Sequence, residues 1–142
     1  MSGVAVVRYL LANSAPVLAI IPAARIMAGD LPLNATLPAI SVMEIDSQPH
    51  NTVAMTEPNK LHTERVQVSV IFKGSGGTPA GTGLPGVKGV LALLLAAVPH
   101  THGTVNGINV VSILPDGEGP DLQDAATSLY SGSRDFIVRW KS

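Results

Sequence analysis

The sequence predicts an α+β fold, in which a mainly antiparallel sheet of about four strands packs against N-terminal helices and one long central helix. Three segments carry this prediction. Residues 65–72 alternate apolar and polar side chains, which is the period of a strand with one covered face. Residues 133–140, near the end of the sequence, predict a second strand, with Phe136 and Trp140 on its apolar face. Residues 87–98 carry apolar residues at helical spacing instead.

The N-terminal part of the chain predicts two helices. Ser2 is a suitable N-cap for a helix over residues 2–13, whose apolar residues recur every three or four positions. A short second helix over residues 17–21 ends at a proline. Further prolines and a glycine break up residues 22–38, which predicts a loop with at most a brief extended piece at 25–27.

Two strands and two connections follow in the middle of the chain. Residues 37–46 predict a strand covered on both faces, and residues 65–72 form the alternating strand described above. The polar residues 47–61 between them are long for a hairpin loop, so we expect a projecting arm. After the second strand, residues 73–86 are rich in glycine and predict a flexible linker.

The long helix follows the linker. Its apolar face combines Val87, Val90, Leu91, Leu94, Leu95 and Val98, and a proline at 99 ends it. A third strand is predicted over residues 108–114, a turn over 115–120, and a last strand that begins near Ser128.

Length and composition favour a single domain over residues 1–142 that assembles with copies of itself. Charged residues make up 13% of the chain, against about 25% in an average soluble domain. A charge-poor chain of this size often hides part of its surface in an assembly.

The net charge is −1, and the basic residues are scattered, which argues against a nucleic-acid groove. The chain has no cysteine, which excludes disulfides and thiol catalysis. Its most apolar run, residues 90–98, is too short to cross a membrane.

One motif indicates a different class of protein, a small nucleotide-binding enzyme. Residues Gly81–Gly86 match the pattern GxGxxG between a predicted strand and a helix, where a dinucleotide fingerprint would lie. The preceding strand, however, alternates as if one face were wet, whereas the first strand of such a fold is buried on both faces. A proline at 85 interrupts the motif, and no acidic residue follows about twenty positions later. A linker is the favoured interpretation.

No other pattern predicts catalysis, a cofactor or a metal. His100 and His102 have the spacing of two ligands on one strand face, but a zinc site usually needs three convergent ligands. The acidic residues between 116 and 124 lack the spacing of an EF-hand. Glu44 and Asp46 have no histidine or second acid pair nearby in sequence. We therefore predict a protein that is not an enzyme and has no catalytic, cofactor or metal residues.

Taken in order, short motifs along the chain resemble the tail completion proteins of long-tailed bacteriophages and prophages, also called tail terminators or head-to-tail joining proteins. The motifs are Val7–Pro16, Arg25-Ile26, Gly29, Leu31-Pro32, Leu37–Ile40, Arg65–Val68, Asp121-Leu122, Leu129-Tyr130 and Asp135-Phe136. Their order and spacing cover nearly the whole chain. One departure is the Gly-rich stretch 74–86, which stands where similar proteins run directly into the helix.

The resemblance implies a virion structural protein that acts at the tail or neck and is assembled in the host cytoplasm. Such proteins form a ring, typically a hexamer, that caps the tail tube, stops its polymerisation and provides the surface for head–tail joining. The implied partners are further copies of the chain, the tail tube protein and a head–tail connector or neck protein. DNA is cargo passing through the lumen, and no membrane is involved. The alternative is a head-side neck adaptor of the same joint.

Loops and polar strand faces carry the contacts in rings of this kind, so polar residues there are the candidate interface. These candidates are His50, Asn51, Thr52, Glu57, Lys60, Arg65, Asp116, Glu118, Asp121 and Arg139. Whether the polar strand faces line a lumen or contact a neighbouring subunit is left open by the sequence.

Overall fold

The computed structural model describes residues 2–29, 36–50, 60–73, 83–100, 102–124 and 129–141. Within them, three α-helices and seven strands follow one another along the chain, with a short 3₁₀ turn before the first strand. The elements are α1 (Ser2–Ala12), α2 (Ala15–Leu18), the 3₁₀ turn (Ala23–Arg25), β1 (Ile26–Ala28), β2 (Ala39–Pro49), β3 (Leu61–Lys73), α3 (Gly83–Ala97), β4 (Gly103–Val105), β5 (Ile108–Glu118), β6 (Leu122–Asp124) and β7 (Leu129–Lys141).

The strands form one mixed but mostly antiparallel sheet, in the order β1-β2-β3-β7-β5-β4. Only β1 is parallel to its neighbour, and β6 pairs with the beginning of β7 beside the end of β5. The α+β class with a mainly antiparallel sheet is confirmed, but the prediction of about four strands is wrong, because the described residues contain seven. The three extra strands have three residues each, which is too short for an alternating pattern to appear in the sequence.

The helices pack on one face of the sheet, and the core lies between them. The inner residues of β3 are Val66, Val68, Val70 and Phe72, all buried as their alternation predicts. Their neighbours on β7 include Phe136 and Val138, which are 0% exposed. The opposite sheet face, which we call the open face, carries residues such as Arg65, Gln67 and Arg139.

The helical layer differs from the prediction of one long central helix. Helix α3 has 15 residues and packs on β3 and β7, but α1 covers β1, β2 and β3 beside it. The predicted apolar face of α3 is buried except for Leu95, which is 44% exposed. Two helices therefore share the sheet face, and neither crosses it alone.

Strand boundaries also correct two predicted connections. Strand β2 continues to Pro49, and β3 begins at Leu61, so the ends of the predicted arm 47–61 belong to a hairpin. Residues 51–59 of that arm lie outside the described residues. The predicted linker 73–86 gives its first residue to β3 and its last four to α3, and residues 74–82 are again outside the described part.

The predicted turn 115–120 is replaced by strand over its first four residues. β5 runs through Pro115 to Glu118, with a register irregularity between these two residues. A proline is tolerated in a strand where its missing N–H would face an unpaired edge, or at a bulge. Gly117 has a φ of 92°, a backbone conformation that suits glycine at this irregularity. The strand therefore survives residues that normally indicate a turn.

A buried carboxylate ties α1 to the sheet. Glu64 on β3 is 1% exposed, although it belongs to the most polar segment of that strand. Its Oε2 accepts the backbone N–H of Gly3, and its Oε1 accepts the indole N–H of Trp140. The ring of His62 stacks on Trp140 with centroids 4.1 Å apart.

In the part of the chain that the structure describes, no helix is long and apolar enough to cross a membrane.

Candidate functional site

The predicted interface residues fall into two charged clusters and one hairpin end. Asn51, Thr52 and Glu57 lie outside the described residues. Arg65 and Asp116 meet on the open face, and Glu118 and Asp121 both contact Lys88 of helix α3. The sequence predicted Arg65, Asp116, Glu118 and Asp121, but not their partners Asp135, Lys88 and Arg134.

The first cluster lies where β3, β7 and β5 run side by side. Arg65 donates from Nε to Asp135 Oδ2 at 2.9 Å, and its Nη2 lies 2.5 Å from Asp116 Oδ2. The side chains of Arg65 and Asp116 are 39% and 42% exposed, so water screens this contact. The two ion pairs raise the pKa of Arg65 above its ordinary value, chiefly through the hydrogen bond with Asp135. The arginine is therefore held across three strands and stays charged.

The second cluster joins α3 to the end of β5. Lys88 Nζ lies 2.7 Å from Asp121 Oδ1 and 3.9 Å from Glu118 Oε2. Glu118 also pairs with Arg134 of β7 through a short contact. The hydrogen bond with Asp121 is the main cause that raises the pKa of Lys88. This network fixes the segment between β5 and β6 against the helix.

The remaining candidates cluster at the end of the β2–β3 hairpin. His50 donates its backbone N–H to the carbonyl of Leu61 at 2.8 Å, and its Nε2 lies 2.8 Å from Thr63 Oγ1. Thr63 is the cross-strand partner of Arg139, whose side chain is exposed on the open face. Lys60 lies half-buried just before β3 begins. These residues present a polar surface at one end of the sheet.

Two features bear on chemistry at these positions. Among the described residues, no three histidine or acidic side chains converge as metal ligands would. Strand β3, which precedes the glycine motif, pairs antiparallel with both of its neighbours. The first strand of a dinucleotide-binding fold is parallel to its neighbours, so β3 does not provide that context. The two clusters consist of partly exposed ion pairs, one across three strands and one between helix α3 and the end of β5.

Comparison with known proteins decides the family. The sequence profile of a family described as tail completion protein gp17 matches residues 5–140. The chain belongs to this tail completion family. Among curated proteins, none matches this sequence.

A solved structure supports the fold of this tail completion family member. A chain in the virion of a native gene transfer agent particle aligns with a TM-score of 0.66 at 14% sequence identity. The alignment covers 98% of this chain and 94% of the other. At that identity the likeness establishes the fold alone. Family membership makes the protein a structural component of a phage tail, as the sequence motifs indicated.

In this tail completion family member, the structure reveals exposed apolar residues and a charged residue that were not among the interface candidates predicted from the sequence. Four large apolar side chains on its strands are exposed, namely Ile45, Val111, Leu114 and Leu122. Asp135, the principal partner of Arg65, was part of a sequence motif but not a candidate. The alternation of β7 places Asp135 opposite Phe136 and therefore on the open face, and this was the available signal. The pairing itself depends on the register between β3 and β7.

Proposed function

We propose that the protein forms a ring that caps the completed tail tube, ends tube polymerisation and provides the surface for head–tail joining. The observation that carries this proposal is the match of residues 5–140 to the tail completion family. The low charge of the chain supports it, because charged residues are only 13% of the sequence. The ring is proposed as a hexamer, with the tube protein on one side and a connector or neck protein on the other.

The open face is the surface of the ring that we assign to subunit contact or to the lumen. Arg65, Asp135 and Asp116 are held there by mutual ion pairs, so their positions need no partner to be fixed. Arg139 is exposed on the same face. The proposed role requires binding and not turnover, and we infer that the protein is not an enzyme.

Electron microscopy of tube assembly tests the proposal. Tube protein from the same particle is polymerised with and without this protein, and tube lengths and ends are compared. We expect the protein to appear as a ring at one tube end and to stop elongation there. Sedimentation of the mixture measures the same binding in solution. Bovine serum albumin at equal concentration is the control for nonspecific effects.

Two results would contradict the tube-capping role. Tubes that lengthen equally with and without the protein, together with no co-sedimentation, would show that it does not engage the tube. Binding to DNA-filled heads in place of tubes would instead identify it as the head-side neck adaptor. A protein that is monomeric in isolation would contradict neither the tube-capping role nor the neck-adaptor role, since we propose that binding to the tube triggers ring assembly.

A further inference from the structure

Four strands of the sheet share a common set of rows, in which residues lie directly opposite one another. Gln48 of β2 is paired with Thr63 of β3, Thr63 with Arg139 of β7, and Arg139 with Ser112 of β5. The row therefore begins on β2 and ends on β5. Each of the three steps is antiparallel, so β2 and β5 also run in opposite directions.

Both outer strands of these rows are partly uncovered. β1 pairs with residues 40–42 of β2, and among the described residues no strand pairs with residues 45–49 on that side. β4 pairs with residues 108–110 of β5, and within the same described part no strand covers residues 111–118. An uncovered strand edge offers a row of backbone donors and acceptors to another chain.

The two uncovered segments occur at the same height in the sheet. One row through them ends on Gln48 and Ser112, and another runs from Asp46 through Arg65 and Ile137 to Leu114. A second copy placed edge to edge without an offset would therefore bring its β2 segment against the β5 segment of the first. The two would run antiparallel, which is the pairing found throughout β2, β3, β7 and β5.

The side chains at these edges favour a protein partner. Ile45 and Val111 lie at the register shifts of β2 and β5 and are 51% and 39% exposed, and Leu114 is 43% exposed. Exposed edges of monomers are normally protected by charges, whereas bulges re-aim side chains. Apolar residues at both edges indicate surfaces that become covered on assembly.

The charges on the two edges are compatible with this contact. In the alignment without offset, Asp46 of one copy meets the row of Leu114 in the next, and Ser47 meets the row of Ile113. The acidic Asp46 therefore faces a neutral residue of β5. No like charges oppose each other directly in these rows, and such pairs would destabilise the ladder.

We propose that residues 111–114 of β5 in one copy pair antiparallel with residues 45–49 of β2 in the next copy. The partner is a second copy of this chain, and the contact joins two different surfaces. Such a head-to-tail contact leaves one free edge of each kind after every addition, and repeated addition forms a ring where the rotation between copies closes. This inference rests on the proposed ring and specifies which strands hold it together.

Cysteine pairing tests the contact, because the natural chain contains no cysteine. The double variant Gln48→Cys/Ser112→Cys places two thiols in the same row, one on each edge. Side chains directly opposite in an antiparallel pair have Cβ atoms about 4.5–5.5 Å apart, within reach of a short bismaleimide linker. The protein is mixed with tube protein, on which the ring is proposed to assemble, and is cross-linked there. Its assembly is measured by sedimentation on the same sample.

We expect the double variant to give a ladder of covalent multimers, and each single variant to give only monomer. The matched control Gln48→Cys/Ala19→Cys carries its second thiol at an exposed position on the end of α2, and it should give no ladder. As a second test, Val111→Lys should lower the association constant measured by sedimentation at least tenfold, while Leu95→Lys on α3 should leave that constant unchanged. Circular dichroism checks that all variants are folded.

The outcomes separate this contact from the ring itself. Assembly in sedimentation without a ladder in the double variant would overturn the strand pairing and leave the ring intact. A covalent dimer from Gln48→Cys alone would show β2 pairing with β2, which also overturns it. Absence of assembly together with absence of cross-linking would count against the strand pairing, and continued tube growth in the tube experiment would then count against the ring.

Discussion

The carboxylate of Glu64 accepts a hydrogen bond of 2.6 Å from the backbone N–H of Gly3. Because Gly3 belongs to the first turn of α1, the negative charge lies at the positive end of the helix dipole. The same carboxylate accepts the indole N–H of Trp140 at 3.2 Å. One buried side chain on strand β3 therefore joins helix α1 to strand β7, and we call this arrangement the clamp.

Replacing Glu64 with alanine should destabilise the fold by about 2–3 kcal/mol, since it leaves the N–H of Gly3 and the indole N–H buried without an acceptor. Urea unfolding followed by tryptophan fluorescence measures this directly, because Trp140 is the only tryptophan. The exposed carboxylate of Asp46 is the control, and Asp46→Ala should change stability by about 0.5 kcal/mol or less. Equal stability of the two variants would contradict the clamp.

Two helical glycines should respond to alanine in opposite directions. A Cβ on Gly3 would collide with Glu64 Oε2 and lie 3.2 Å from Val66 Cγ2, whereas a Cβ on Gly89 would meet nothing within 4 Å. Gly89→Ala should therefore stabilise the protein by about 0.5–1 kcal/mol, the usual gain in a helix. Gly3→Ala should destabilise it by about 1–3 kcal/mol through overpacking. Thermal unfolding of both variants decides, and a stabilised Gly3→Ala would disprove the close approach.

Val68→Asp should abolish folding. Val68 is 0% exposed at the centre of β3, and burial of an unpaired carboxylate there costs several kcal/mol, on the order of the whole stability of a small domain. Ser69→Asp is the matched control, because Ser69 lies on the open face between Ser41 and Ser133. Circular dichroism and gel filtration should show an unfolded or aggregated Val68→Asp and a folded Ser69→Asp. A soluble, folded Val68→Asp would mean that the buried face is wrongly assigned.

The ion pairs of Lys88 should give stability a dependence on alkaline pH. Contact with Asp121 raises the pKa of Lys88 above its ordinary 10.5, so the folded state binds this proton more tightly than the unfolded chain. The resulting stabilisation is complete below the unfolded pKa and disappears as pH rises through the folded pKa. The difference in Tm between the natural protein and Lys88→Met should thus be constant from about pH 7 to 9 and shrink above about pH 10.5. Lys141→Met removes the same charge elsewhere, and an identical profile for both variants would contradict the prediction.

The elements with strong local periodicity could be predicted from the sequence. The alternation of Val66, Val68 and Val70 gave both the strand and its buried face, and the helix from Ser2 ends within one residue of its predicted end. These features depend on neighbours in sequence. The three-residue strands do not, because each exists only through pairing with a longer strand already in place.

The candidate site was less predictable because it depends on register. Arg65 and Asp116 were candidates separately, but their contact requires β3, β7 and β5 to align so that Asp135 lies between them. Glu64 is the clearest failure of sequence reasoning. A glutamate in a polar stretch is normally exposed, and the hydrogen bonds from α1 and Trp140 that help to offset the cost of its burial depend on the fold.

The partners of Glu64 are separated from it by 61 residues on one side and 76 on the other. The chain must close two long loops before the Glu64 carboxylate is buried, and contacts between residues so far apart in the sequence form slowly. We therefore expect the clamp to form after the folding transition state, so that its loss accelerates unfolding and leaves the folding rate nearly unchanged. Helix α1 would then be among the last elements to pack during folding and among the first to detach during unfolding.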